Sequence, residues 1–148
     1  MTSFDHTNWQ SSPPTTLSGP ALDWFTDKNS LTKRLREFTH NNIEHHLFFN
    51  DWDAKKENWI RDMEWQNHGE TWMHCIVTIP RASLIDELKD VGHRSIGEIL
   101  FAEPSLRRSD FDYQEKNGIY SRRSIFHFKE KPFELIETFF PAFFQAIL

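Results

Sequence analysis

Six strand candidates joined by tight turn signals constrain the fold of this chain more than any other feature of its sequence. His68-Gly69-Glu70 separates the second candidate from the third, and Lys116-Asn117-Gly118 separates the fourth from the fifth. The Asn-Gly pair suits the positive φ angles of a hairpin turn, and Lys131-Pro132 marks the last turn. Because these connections are short, neighbouring strands are predicted to be antiparallel. The candidates cover residues 42–50, 57–67, 71–80, 104–113, 120–129 and 133–140.

Short helical segments precede and interrupt the strands. Residues 20–26 and 31–38 have helical spacing, and the hydroxyl of Ser30 can cap the second of them. Two more short helices, over residues 83–89 and 95–102, fall between the third and fourth strands, where they could lie over one face of the sheet. The sequence therefore predicts the α+β class, with a single six-stranded antiparallel sheet and a few short helices.

The length of the chain fits one domain. Its 148 residues include 14 Phe and 6 Trp but only 5 Gly, which is typical of a packed domain with room for an enclosed pocket. Residues 1–18 are predicted to be an irregular N-terminal tail and residues 19–148 the folded domain. The aromatic segment 139–148 is expected to pack on the body of that domain.

The net charge, the lengths of the apolar segments and the single cysteine indicate which partners and which cellular compartment to expect for the protein. A formal net charge of −5 argues against nucleic-acid binding, which usually needs a basic face. No segment approaches the roughly 20 apolar residues of a membrane span, so no stable membrane insertion is expected. Cys75 is the single cysteine. It lies in an apolar run and is expected to be a buried thiol, and a cytoplasmic location is the default expectation.

Two charged residues interrupt apolar strand faces. Residues i and i+2 of a strand share a face, so Arg61 points with the large apolar side chains of its strand, and Glu137 points into the aromatic row of the last strand. An unpaired charge inside a domain costs several kcal/mol, so each needs a partner. The two could pair with each other, or one strand could be solvated on both faces. The alternative is a pocket in which Arg61 grips a carboxylate and Glu137 contacts the reacting part of an anionic ligand.

Other charged clusters are weaker candidates. Arg122-Arg123 and Arg107-Arg108 are adjacent pairs whose members face opposite ways in a strand. One member could supply a second anion contact, but solvent or a surface ion pair is the expectation for each of the four. His40, Glu44, His45 and His46 lack any usual metal-ligand spacing, and the chain has no glycine-rich phosphate loop. Neither a metal site nor a cofactor is predicted.

The order and spacing of several short motifs resemble the bacterial chorismate–pyruvate lyase family. The resemblance covers most of residues 22–141, and its motifs are specific as a set, although each is weak alone. They are Leu22-Asp23-Trp24, Ser30-Leu31-Thr32-Lys33-Arg34, Trp59-Ile60-Arg61-Asp62, Gly69-Glu70-x-Trp72, Ile79-Pro80, Ile96-Gly97-x-x-Leu100-Phe101, Arg122-Arg123-Ser124, Lys131-Pro132 and Glu137-x-Phe139-x-Pro141.

The resemblance implies a fold, an activity and four site residues. In such a fold, helical flaps close over a buried ligand site on an antiparallel sheet. Arg61 would bind a carboxylate and Glu137 would contact the other end of the product, and these two are the candidate catalytic residues. Backbone groups at Leu31 and Ile96 would bind substrate from the flaps. The implied reaction converts chorismate to 4-hydroxybenzoate and pyruvate without metal or cofactor, as the first committed step towards ubiquinone. The chain would act as a monomer.

A second function remains open. Ligand-sensing modules of some bacterial transcription regulators have a similar fold, so the chain could instead be a non-catalytic domain that binds aromatic acids. Such a regulator would carry a separate DNA-binding domain. Incubation with chorismate distinguishes the two functions, because only the enzyme would form 4-hydroxybenzoate.

Overall fold

The fold is built on one antiparallel sheet. The computed structural model describes residues 4–148, and within them seven strands run in the order β1-β2-β3-β7-β6-β4, with β5 paired to β6. The α+β class and the antiparallel sheet are therefore confirmed. The strands are β1 Glu44–Trp52, β2 Asn58–Asn67, β3 Glu70–Pro80, β4 Arg107–Arg108, β5 Asp112–Lys116, β6 Ile119–Phe128 and β7 Lys131–Phe139.

The prediction of a single fourth strand over residues 104–113 is wrong. Two short strands, β4 and β5, lie there instead, and both pair with β6. The break follows from Ser109, whose hydroxyl accepts the backbone N–H of Ile125 at 2.8 Å. A side-chain oxygen thus takes the place of the carbonyl that a continuous ladder would use.

Three hairpins have two-residue loops with positive φ at both positions. At Asn117-Gly118 the angles are 55° and 79°, and the His68-Gly69 loop is similar, as the turn signals predicted. The last turn lies at Lys129-Glu130, with φ of 50° and 67°, two residues before the predicted Lys131-Pro132. Residues other than Gly and Asn adopt such angles uncommonly, so the sequence offered little sign of this turn.

Burial along β2 follows the predicted alternation, whereas on β7 both faces are buried from Leu135 to Phe139. On β2, Trp59, Arg61, Met63 and Trp65 are buried, while the residues between them are partly exposed. On β7, Glu137 is buried in the row that includes Phe133 and Phe139. In the sheet, Met63 pairs with Cys75, and Cys75 pairs with Glu137. The two interrupted apolar faces are therefore one continuous face of the sheet.

Short helices cover that face and close the core. Their bounds are α1 Gly19–Thr26, α2 Leu31–Phe38, α3 Asp86–Lys89, α4 Ile96–Leu100 and α5 Pro141–Ala146, with a 3-10 turn at Arg81–Ser83. The predicted helix over 83–89 is thus the end of that turn followed by α3. Phe143 of α5 is buried against the rings of Trp24 and Trp72, which confirms that the C-terminal segment packs on the body. None of the helices described for residues 4–148 is long and apolar enough to cross a membrane.

The N-terminal segment packs against β5 without forming a helix or a strand. Residues 1–3 of the predicted tail lie outside the described residues. In residues 4–18, Gln10 and Tyr113 exchange two backbone hydrogen bonds of 2.8 and 2.7 Å. Gln114 also bonds the backbone of Asp5 in both directions. The division into a tail and a domain at residue 19 stays a prediction.

Candidate active site

A small cavity lies between the sheet and the helices that cover it. Its volume is about 50 Å³, far below the roughly 300–1,000 Å³ of typical small-molecule sites. The four predicted site residues, Leu31, Arg61, Ile96 and Glu137, all border it. The structure thus brings them together, while their roles remain predictions. Because the cavity is so small, the covering segments must move before a ring-sized ligand can enter.

Two segments form the cover, named here the α2 flap (residues 30–38) and the α4 flap (residues 95–101). Ser30 caps α2 by accepting the N–H of Lys33 at 3.2 Å, and Ser95 caps α4 by accepting the N–H of Gly97 at 3.2 Å. The buried hydroxyls of Thr32 and Ser95 are hydrogen-bonded at 2.7 Å and join the two flaps. Gly97 permits this contact, because a Cβ there would lie 3.0 Å from the Thr32 hydroxyl.

Arg61 is a buried cation that no carboxylate neutralises among residues 4–148. Its side chain is 1% exposed and donates to the carbonyls of Gly92, at 2.9 Å, and Arg94, at 2.7 Å. Its Nε has no hydrogen-bond partner. Burial lowers the pKa of Arg61 to about 10, so it stays charged at neutral pH. It is neither paired with Glu137 nor solvated, and the cavity beside it is suited to an anion.

Glu137 is held as an ionised carboxylate by two arginines. Its Oε1 accepts from Arg108 at 2.7 Å and from Arg122 at 2.9 Å, and its Oε2 accepts from Arg122 at 3.3 Å. Burial raises the pKa of Glu137, but the charges and hydrogen bonds of the two arginines outweigh burial and the net pKa is lowered. The two arginines therefore reverse the direction in which burial alone would shift this pKa. A carboxylate in this state accepts hydrogen bonds well and is a weak base.

The two arginines on Glu137 were expected at the surface, and that expectation is wrong. Arg122 is 1% exposed and lies directly across the β6–β7 ladder from Glu137. It also donates to the carbonyls of Phe25 and Asp27 at the end of α1, where a cation is favoured by the helix dipole. Arg108 has a 7% exposed side chain. The neighbours Arg107 and Arg123 do face outward and form exposed or half-exposed ion pairs.

His45 is a cavity residue that sequence reasoning considered only as a metal ligand. His45 is on β1, opposite Trp65 of β2, and borders the cavity. Its Nδ1 is buried without a hydrogen-bond partner. Burial, followed by the charge of Arg61, lowers the pKa of His45 to about 4. The imidazole is therefore neutral at neutral pH. Cys75 also borders the cavity as a buried thiol, as predicted, and burial raises its pKa.

The residues described contain no candidate metal centre. No group of three or more His, Cys, Asp or Glu side chains within residues 4–148 is arranged to hold a metal ion. The cavity offers cationic and apolar surface instead, which is the chemistry of a site for an aromatic or cyclic carboxylate.

Comparison with known proteins points to one family. A family model described as chorismate lyase matches residues 4–147. A probable chorismate pyruvate-lyase of Coxiella burnetii is 32% identical, with 89% of each chain covered. A probable chorismate pyruvate-lyase 2 of Pseudomonas entomophila is 28% identical, covering 89% of this chain and 86% of that one. The chorismate pyruvate-lyase of Erwinia tasmaniensis is 27% identical, covering 90% and 86%. This chain belongs to the chorismate lyase family.

Proposed function

We propose that this chain is a chorismate–pyruvate lyase that converts chorismate to 4-hydroxybenzoate and pyruvate. The observation that carries the proposal concerns Arg61. Its guanidinium is fully buried beside the cavity, and no carboxylate of residues 4–148 neutralises it. Three buried arginines and one glutamate leave the site with two excess positive charges. Chorismate is a dianion, so its charge matches that excess. The family match over nearly the whole chain supports the same reaction.

Substrate placement follows from the two ends of the cavity. Arg61 is on β2 and Glu137 is two strands away on β7. The ring carboxylate of chorismate would lie on Arg61, whose unpartnered Nε adds a donor. The ring hydroxyl would donate to Glu137, which is ionised and accepts. Backbone groups at Leu31 and Ile96 would complete the contacts from the flaps.

The chemistry needs two bond changes on the substrate. The ether bond between the ring and the enolpyruvyl group breaks, and the ring carbon that bears the hydroxyl loses its hydrogen, so that the ring becomes aromatic. That hydrogen can pass to a base, or directly to the methylene of the departing enolpyruvyl group, which then leaves as pyruvate. The lowered pKa of Glu137 favours direct transfer within the substrate. The protein would then act by holding a reactive conformer and by stabilising charge.

Closure of the flaps has a kinetic consequence. Apolar residues such as Leu100, Phe126 and Leu135 line the cavity together with Arg61, so a bound product is shielded from water. Release of 4-hydroxybenzoate then requires the flaps to open. We expect product release to limit turnover.

Several finer features belong to the proposal and rest on sequence expectations. The 4-hydroxybenzoate would enter ubiquinone synthesis, and the enzyme would be a cytoplasmic monomer that needs no metal or cofactor. Activity should survive exhaustive chelation. Loss of activity with EDTA that a divalent metal restores would contradict this part.

The test of the function is incubation of the purified chain with chorismate. A lyase forms 4-hydroxybenzoate and pyruvate in equal amounts, with more than one equivalent of each per chain. A non-catalytic aromatic-acid sensor would bind 4-hydroxybenzoate and leave chorismate intact. That second outcome would refute the proposed activity while leaving the ligand class in place.

A further inference from the structure

Arg108 has no role in the substrate placement above, although it borders the same cavity. The residue lies on the two-residue strand β4, pairs in the ladder with Phe126, and points inward beneath the rings of Phe111 and Phe126. Its guanidinium carbon is 4.5 and 4.6 Å from the two ring centres. These cation–π contacts help to hold the guanidinium in position, because a different rotamer would lose them.

The hydrogen bonds of Arg108 leave donors free for a ligand. Its Nε donates to the Ser124 hydroxyl at 3.0 Å, one terminal nitrogen donates to the Lys28 carbonyl at 3.1 Å, and the other donates to Glu137 at 2.7 Å. A guanidinium carries five N–H groups. Two of the five, one on each terminal nitrogen, therefore have no acceptor within residues 4–148. Such a pair of N–H groups can grip a carboxylate.

Arg122 is not placed to bind a ligand carboxylate. Its nitrogens are occupied by Glu137 and by the carbonyls of Trp24, Phe25 and Asp27, and it is not among the residues that border the cavity. Arg122 instead neutralises Glu137. Since one carboxylate is shared by two guanidinium groups, Arg108 retains positive charge for a second anion.

Arg61 and Arg108 both border the cavity, so they offer one cationic group for each of the two carboxylates of chorismate. β2 and β4 are four strand spacings apart in the sheet, roughly 19 Å between backbones at about 4.8 Å per spacing. The two long side chains therefore reach the cavity from opposite sides. With the ring carboxylate on Arg61, the hydroxyl and the enolpyruvyl group lie at the Glu137 end. There Glu137 would repel the enolpyruvyl carboxylate unless a cation lay beside it.

We propose that Arg108 binds the carboxylate of the enolpyruvyl group, next to the hydroxyl held by Glu137. This inference rests on the proposed lyase function. It makes Arg108 a substrate-binding residue that contacts chorismate and the departing pyruvate, but not 4-hydroxybenzoate, which has only the ring carboxylate. Arg61, in contrast, contacts the group that substrate and aromatic product share.

The test compares three ligands in two variants. Arg108→Gln should lower kcat/KM for chorismate by about 100-fold, within the range for removing one partner of a buried charge pair, and should abolish inhibition by added pyruvate. The Kd of 4-hydroxybenzoate should change by no more than about threefold, the scatter expected for a residue that does not touch it. Arg107→Gln is the matched control, because it removes an exposed arginine from the same strand. It should leave all three values unchanged.

Each outcome separates the inference from its alternatives. Equal losses for chorismate and 4-hydroxybenzoate in Arg108→Gln would show that Arg108 only supports Glu137, and normal chorismate turnover would show that it supports neither. If that variant does not fold, Arg108→Lys keeps the charge and should still show a loss confined to chorismate and pyruvate. A wild-type chain that leaves chorismate intact refutes the proposed function itself. If the wild-type chain is active but Arg108→Gln affects chorismate and 4-hydroxybenzoate equally, only this inference is refuted.

Discussion

At the scale of single residues, burial of charge defines the site. Arg61, Arg108, Arg122 and Glu137 are all charged side chains withdrawn from water. The last three satisfy one another, whereas Arg61 has only neutral carbonyl partners. A buried charge left without a counter-charge is costly. We therefore infer that, of these four residues, Arg61 is the one whose buried charge a bound anionic ligand would stabilise most.

Replacing Arg61 should weaken binding of both chorismate and 4-hydroxybenzoate. For Arg61→Ala we expect 4-hydroxybenzoate binding to fall by about 2–5 kcal/mol, the range for losing one partner of a buried charge pair. Arg61→Lys should restore only part of it, because an ammonium cannot make two parallel hydrogen bonds. Titration calorimetry measures both. Arg94→Ala is the control, since it keeps the carbonyl that holds Arg61, and a folded Arg61→Ala protein with normal affinity would remove Arg61 from the site.

Glu137→Gln separates orientation of the substrate from proton transfer. Because the pKa of Glu137 is lowered, we expect it to orient the hydroxyl only. A glutamine also accepts a hydrogen bond, so the single-turnover rate should stay within about tenfold of wild type. A loss of about 100-fold or more, the usual scale of general acid–base catalysis, would show that Glu137 moves the proton. Single-turnover conditions are needed because they exclude product release from the comparison.

An isotope gives a second reading of the same question in the unmodified enzyme. Chorismate carrying deuterium on the hydroxyl-bearing ring carbon should deliver that deuterium to the methyl group of pyruvate if transfer occurs within the substrate. Its appearance in solvent instead would mean that a protein group or water removes it.

At the scale of elements, the two flaps meet through side chains that are far apart in the chain. The Thr32–Ser95 bond joins the first turns of α2 and α4, and Arg36 of the α2 flap forms an ion pair with Glu98 of the α4 flap. These contacts lie between the cavity and the outside. They are therefore placed to control entry and release of ligand.

Removing the hydrogen bond between the flaps should speed product release. A buried hydrogen bond contributes about 1 kcal/mol, so Thr32→Val should raise the dissociation rate of 4-hydroxybenzoate about fivefold. Stopped-flow displacement measures that rate. Thr26→Val is the matched control, because the Thr26 hydroxyl donates to the carbonyl of Leu22 within α1. An unchanged rate in Thr32→Val would mean that this contact does not limit opening.

At the scale of the whole molecule, His45 makes the stability of the fold depend on pH. Its folded pKa of about 4 lies below the ordinary value of 6.5, so between these values the unfolded chain binds more protons than the folded one. The free energy of unfolding should therefore fall as pH drops from about 6.5 to about 4. Glu137 acts at lower pH, because its lowered pKa preserves its contribution until that carboxylate is protonated.

Urea unfolding at several pH values measures this dependence. His45→Gln should flatten the curve between pH 6.5 and 4, whatever its effect on stability at neutral pH. The same substitution at the exposed His6 is the control and should leave the slope unchanged. A His45→Gln curve parallel to that of wild type would show that another group carries the dependence.

Local periodicity determined which way the key side chains point. Strand side chains alternate with period two regardless of what the strand packs against, so the burial of Arg61 on β2 and of Glu137 on β7 could be predicted before any partner was known. Arg122 was within reach of the same reasoning. The two-residue loop at Lys129-Glu130 sets a register that places Arg122 opposite Glu137. That loop was not predicted, because neither of its residues is the Gly or Asn typical of such turns.

Partners, by contrast, were decided by the tertiary structure. Arg108 is brought to Glu137 by a strand of only two residues, too short for alternation to reveal its face, and the carbonyls that hold Arg61 belong to a loop more than thirty residues away. The pKa of Glu137 depends on those distant charges. Burial alone would raise it, and two arginines from β4 and β6 reverse the direction. The sequence by itself determined the face on which each charge lies, because that depends on neighbouring residues; only the folded chain decided how each charge is neutralised, because Coulomb interactions depend on distance in space.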